Sequence, residues 1–241
     1  MSLNGKNILI TGAGLRVGRS MALAAARAGA NLVLHYNHSQ VEAAQTADEI
    51  HQMGRQAVLL QADLGDPTQA TMVIERAEGF GPLDALINSA AVFKNLDWRT
   101  TTLEDWHQHL TINLTAPFLL CQAFARRNTP GHKGRIINLL DWRALRPGAD
   151  HLPYTISKVA LAGLTRSLAQ AFAPDIQVNG VALGAILPPA DGGDASSVVK
   201  DVPARRWADL DEVDQTVLFL LTGPAYITGE IIHLDGGRHL V

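Results

Sequence analysis

The sequence predicts an α/β domain built on a doubly wound, mostly parallel sheet of about seven strands with helices on both faces. Three observations carry this expectation. Apolar runs of strand length are nearly continuous, longer segments of helical period separate them, and the alternation persists from residue 7 to the C-terminus. A length of 241 residues allows one large domain or two small ones. Residues 184–208, with three prolines and two adjacent glycines, form the least regular region, and too little chain follows for an independent domain. One domain over 1–241, with a substrate loop at about 184–208, is expected.

The elements follow in order. "NILIT" (7–11) reads as a strand and gives way to alanine-rich "RSMALAAARAG" (19–29), ended by Gly29. "NLVLHY" (31–36) precedes a helix over 39–54, with Ser39 as N-cap and Gly54 as stop. "QAVLLQAD" (56–63) leads to a helix starting near Pro67, a residue favoured in the first turn. Strands are then expected at 83–90, 134–140 and 176–183, with long helical stretches around 103–127 and 153–172. "EIIHLDGG" supplies the last apolar run.

Composition narrows the function. With 47% hydrophobic and 18% charged residues, the chain has the profile of a soluble globular protein. A net charge of -3 gives no electrostatic case for nucleic acid or an anionic membrane as partner. The single Cys121 excludes an internal disulfide, fits a reducing compartment and lies among core-type neighbours. No signal-peptide core or membrane span is read at the N-terminus, so a cytoplasmic protein acting on a small molecule is expected. His107 and His109 point to different helix faces and have no cysteine or carboxylate cluster beside them, so no metal site is expected.

"TGAGLRVG" (11–18) joins the first strand to the first helix, the setting in which a glycine-rich turn binds a dinucleotide. Unpaired N–H groups and the partial positive charge at a helix start suit a pyrophosphate. Gly12, Leu15, Arg16, Val17 and Gly18 are the candidate contacts, Gly18 being read as the helix opener. The end of the second strand selects the cofactor, since an acid there binds a ribose 2′-hydroxyl and repels a 2′-phosphate. Here it reads His35-Tyr36-Asn37-His38-Ser39, without an acid before Glu42, which favours NADP(H).

Tyr154 and Lys158 stand four residues apart, on one face of a helix. An ammonium near a phenol lowers the tyrosine pKa and makes it a proton donor for a carbonyl or imine receiving hydride. With these residues in place, nearly the whole chain resembles the short-chain dehydrogenase/reductase family. The landmarks are Thr11-Gly12 with Gly18, Asp63-Leu64, "NSAA" (88–91) beginning at Asn88, Asn113 in "INLTAPF", Tyr154 with Lys158, and "ITGEIIHLDGG". "NSAA" differs at two positions from the family's N-N-A-G.

The resemblance implies a single Rossmann-type domain and a homotetramer. It makes Tyr154 the acid, gives Lys158 a hold on the nicotinamide ribose and has Asn113 anchor a water-linked proton path to Lys158. It also implies adenine contacts at Asp63 and Leu64 and cofactor contacts at Asn88, Gly184 and Ile186.

Two departures point to a substrate. Arg16 replaces the family's middle glycine, and Asp141, 13 residues before Tyr154, stands where the family has a serine. Both resemble the pteridine reductase and dihydromonapterin reductase branch, as does the ending "LDGGRHL". Phe93 falls where that branch stacks an aromatic on the pterin. Ionised Asp141 would accept from pterin N–H groups and orient Tyr154, while Arg16 would serve pyrophosphate and pterin. Trp142 either lines the pocket or packs. The leading expectation is NADPH-dependent reduction of a pterin. A carbonyl reductase acting on 3-oxoacyl or similar groups, and a non-catalytic NADP sensor, are the alternatives.

Overall fold

The computed structural model describes residues 2–129, 131–187 and 198–241. All seven strands lie in one parallel sheet: β1 (Asn7–Ile10), β2 (Asn31–Tyr36), β3 (Ala57–Gln61), β4 (Ala85–Asn88), β5 (Gly134–Asp141), β6 (Ile176–Leu183) and β7 (Ile231–Leu234). Their spatial order, β3-β2-β1-β4-β5-β6-β7, reverses direction between β1 and β4. In such sheets a ligand crevice forms at that reversal, beyond the C-terminal strand ends.

Both sheet faces are covered, so alternate residues of one strand enter different cores. Ile8 and Ile10 pack with Met21 and Val217, whereas Leu9 packs with Val73 and Leu120. All three are fully buried, and each such side chain contributes about 1.5–3 kcal/mol of burial free energy. The first face is covered by α1 (Arg16–Arg27) and α7 (Leu210–Thr222), the second by α3 (Pro67–Glu78), α5 (Ala116–Arg127) and α6 (Leu152–Phe172).

The strands fall where the apolar runs place them: β2 and β6 match their expected bounds, β5 extends one residue to Asp141, and β1, β3 and β4 have shorter ends. Helix α2 (Gln40–Gln52) has Ser39 at its N-cap position, yet the serine side chain makes no capping bond. Gly54, at φ +73°, supplies the left-handed turn that ends this helix. The helical stretch at 103–127 is interrupted. It comprises α4 (Leu103–Leu110), a π-turn (Thr111–Thr115) and α5. Helix α7, which the sequence reading did not include, starts in a reciprocal cap between Asp209 and Glu212 and buries Val213, Val217, Leu220 and Leu221.

Of the irregular 184–208 region, residues 188–197 lie outside the described residues. Among the described residues, no helix is long and apolar enough to cross a membrane.

Candidate active site

The glycine turn is shaped by close backbone contacts. Gly12 adopts φ +66°, and a Cβ there would meet Ala90 Cα at 3.1 Å. A Cβ on Gly18 would overlap the Gly12 carbonyl oxygen, so Gly18 lets the first turn pack on the loop. Helix α1 begins at Arg16, two residues before the predicted opener, because Leu15 takes the N-cap position in an extended conformation. No side chain caps this end and no acid lies in its first turn, leaving N–H groups suited to a phosphate. Thr11 closes the turn from the other side: its Oγ1 accepts from Ser89 N (2.9 Å) and Ala90 N (3.0 Å).

Arg16 is exposed and takes φ +50°, the left-handed region that glycine occupies without cost. For an L-residue this conformation costs about 1–2 kcal/mol. The family's glycine at this place therefore has a conformational reason, which the arginine overrides.

The second-strand segment divides into support and surface. His35, expected as a cofactor contact, lies beneath the loop as a prop. It is 1% exposed, its Nδ1 accepts from Gly12 N (3.3 Å), and its Nε2 faces Ala62 O (3.1 Å). Burial draws its pKa down to about 4, against the opposing hydrogen bond to Ala62 O, so the ring is neutral and Nδ1 is free to accept. Tyr36 is also buried. Asn37 donates to Asp63 Oδ1 (3.2 Å), which fixes the 61–65 turn, and Leu64 is buried beside it. His38 is exposed, and Ser39 lies against Gly14, where a Cβ would come within 2.8 Å of Ser39 Oγ. This uncapped end of α1 and the donors at 38–39 match the phosphates of a dinucleotide carrying a 2′-phosphate.

Asn88, also expected as a cofactor contact, has its side chain turned into the core. Its Nδ2 donates to Asn138 Oδ1 (2.8 Å) and lies 3.4 Å from Cys121 Sγ, inside the core. Asn138 in turn donates to Thr165 Oγ1 (2.9 Å), so a polar ladder crosses from β4 to α6. Cys121 is fully buried, and burial pushes its thiol up to about 12. Gly184 is required because a Cβ would lie 2.6 Å from Asp235 Cα, and Ile186 is buried in the core.

The catalytic candidates converge at the C-terminal ends of β4 and β5. Tyr154 Oη donates to Asp141 Oδ2 (3.1 Å), so the aspartate stands beside the phenol as the resemblance implied. Lys158 Nζ donates to Leu139 O (2.7 Å) and stands 5.7 Å from the Tyr154 ring centre. Asn113 lies in the π-turn, a distortion common at functional sites. Its side chain bonds both ways to the Val92 backbone (2.8 and 2.9 Å) and donates to Ser157 Oγ (3.0 Å). Ser157 Oγ donates to Tyr154 O (2.6 Å), linking Asn113 to the backbone beneath the phenol.

The expected lowering of the tyrosine pKa is not found. Burial, then the Asp141 charge and the hydrogen bond to it, push Tyr154 well above its ordinary value, with Arg143 acting in the opposite direction. Burial draws Lys158 down to about 8, with Asp141 opposing. These environments keep the phenol protonated, as a proton donor in a reduction requires.

Phe93 belongs to the mouth of this site and not to the core. It is 55% exposed, stacks on His151 at 4.2 Å between centroids and meets the Tyr154 ring edge-on at 4.6 Å. His151, which sequence reasoning missed, holds φ +50° at the N-cap of α6 and faces Lys94 O through Nδ1 (3.0 Å). Trp142 is half-buried, with the guanidinium carbons of Arg238 and Arg143 at 4.3 and 4.9 Å from its ring centre. Among the described residues, no cluster of metal-ligating side chains occurs.

A strand–turn–helix phosphate cradle leading to a buried tyrosine–lysine pair defines an oxidoreductase. The comparisons make this specific. Residues 12–239 match the family model described as enoyl-(acyl carrier protein) reductase. The chain is 30% identical to a 3-oxoacyl-[acyl-carrier-protein] reductase of Synechocystis, with 98% of each chain covered. It is also similar to the FolM alternative dihydrofolate reductase 1 of Brucella canis in complex with NADP. That pair shares 32% identity and a TM-score of 0.91, covering 98% of this chain and 95% of the other. A blue fluorescent protein from a metagenomic library, in complex with NADPH, gives 33% identity and a TM-score of 0.92 over 99% of both chains. The chain belongs to the short-chain dehydrogenase/reductase family.

Proposed function

We propose that the protein is an NADPH-dependent reductase that converts a C=N bond of a pterin to CH–NH, with Tyr154 as proton donor. The observation that carries this reading is the Asp141 carboxylate on the Tyr154 hydroxyl, beside the exposed Phe93 ring. A carbonyl substrate would set an oxygen gaining negative charge near that carboxylate. A pterin offers it amino and ring N–H donors instead. Phe93 supplies an apolar ring at the mouth for a flat heterocycle to stack on.

The NADP and NADPH complexes of the similar structures support the cofactor assignment, and the reduced nicotinamide supplies the hydride when bound. The first-turn N–H groups of α1 and Arg16 would bind pyrophosphate, while Asn37, His38 and Ser39 would receive the 2′-phosphate. Lys158 would hold the nicotinamide ribose, with the Asp63–Leu64 segment toward adenine. Tyr154 Oη delivers its proton to the substrate nitrogen. A homotetramer is part of the same proposal, and sedimentation of the purified protein tests it.

NADPH oxidation with dihydrobiopterin, dihydromonapterin and a 3-oxoacyl thioester tests the substrate. Pterin turnover is expected. Turnover of the thioester alone would replace this reading with the carbonyl reductase that the Synechocystis relative's name suggests. Tight NADP binding without any turnover would point to a sensor.

A further inference from the structure

We propose that Arg143 is the positioning residue of the site: it ties down one Asp141 oxygen, leaving the other to Tyr154, and joins that pair to the aromatic rim. The inference rests on the reading of Asp141 and Tyr154 as a working pair, not on the identity of the substrate. The two Asp141 oxygens are used differently. Oδ2 receives the Tyr154 hydroxyl, whereas Oδ1 accepts from the Arg143 backbone N–H (2.9 Å) and has the Arg143 Nη1 at 3.5 Å. A carboxylate with one oxygen engaged cannot rotate without giving up both contacts.

The same guanidinium reaches the far end of the loop. Its Nη2 donates to Asp150 Oδ2 (2.6 Å), and Asp150 precedes His151, on which Phe93 stacks. Arg143 thus spans the carboxylates on either side of the 142–149 segment, and its side chain is only 12% exposed. A planar fork with several donors can bridge two carboxylates, but a lysine point charge cannot do so in the same geometry. Low exposure of Arg143 and Asp141 limits the screening of that pair, while Asp150 is half-exposed.

A double-mutant cycle tests this on whichever substrate the wild-type enzyme reduces, so failure of the pterin reading remains a separate result. Arg143→Met leaves the backbone N–H on Oδ1 and removes only the 3.5 Å ion pair to Asp141 and the bond to Asp150. It is expected to lower kcat about fivefold, the upper end for an ion pair of this kind, with NADPH affinity by fluorescence unchanged. In an Asp141→Asn background the same substitution should cost less than about twofold, since the carboxylate it orients is gone. Equal losses in both backgrounds, or a rise in KM with kcat unchanged, would overturn the proposal. Arg143→Lys covers the case of a misfolded methionine variant: it keeps the charge and should still lose several-fold in kcat. Wild-type kcat in that variant would refute the bridging role. Guanidinium ion added to Arg143→Ala should restore part of the rate, and an absence of rescue counts against the proposal.

Discussion

His35 makes the cofactor loop sensitive to acid. Its ring is 1% exposed, its Nδ1 accepts the Gly12 N–H, and burial draws its pKa from 6.5 to about 4. The unfolded chain therefore binds a proton in a window where the folded protein does not, so stability rises with pH across that window. The contribution is complete above about pH 6.5 and is lost as pH falls toward 4. A shift of this size corresponds to about 3 kcal/mol. Protonation also removes the acceptor for Gly12 N–H, so the loop loosens as the histidine charges.

His35→Gln keeps a neutral acceptor and donor but cannot titrate. Urea unfolding of both proteins from pH 7.5 to 4 isolates the histidine, because other groups titrate in both. The stability difference should move in favour of the variant by up to about 3 kcal/mol as pH falls. NADPH affinity of the wild type should weaken in the same window and that of the variant should not. A difference constant across that range would refute the reasoning.

Tyr154→Phe should lower reduction by about 10²- to 10⁴-fold, the usual contribution of a positioned acid, with NADPH affinity by fluorescence retained. Asp141→Asn removes the charge and charged hydrogen bond that hold the phenol protonated, so the alkaline limb of kcat should move to lower pH. Pterin kcat/KM should also fall about tenfold, while an unmoved limb would show that burial alone sets the tyrosine. Arg16→Gly relieves a backbone cost of about 1–2 kcal/mol but adds unfolded-state entropy of about 0.5–1 kcal/mol. Thermal unfolding should therefore change by no more than about 1.5 kcal/mol, while pterin kcat/KM drops. Unchanged kinetics would leave Arg16 without a role in the site.

The sequence by itself determined the fold class, the order of the seven strands along the chain and the placing of Tyr154 and Lys158 on one helix face, while Asp141 beside Tyr154 was expected only from the family resemblance. Apolar period, helix stops such as Gly54 and an i, i+4 spacing are local quantities, and local sequence carries them. It did not show that α4 and α5 are separated by a π-turn, since helical periodicity is nearly the same on either side of it. Helix α7 was legible but not singled out: Leu210, Val213, Val217, Leu220 and Leu221 recur at helical spacing behind the cap between Asp209 and Glu212.

Tertiary structure alone decided which polar residues face the cleft. Adjacent strand residues point to opposite faces, and neighbouring segments then cover some of them. His35 thus lies under the loop and Asn88 in the polar ladder, whereas Phe93 stands at the mouth. The direction of the Tyr154 shift was decided in the same way. Spacing places Lys158 beside it, but burial and the Asp141 carboxylate set the direction, and the charge acting against them is Arg143.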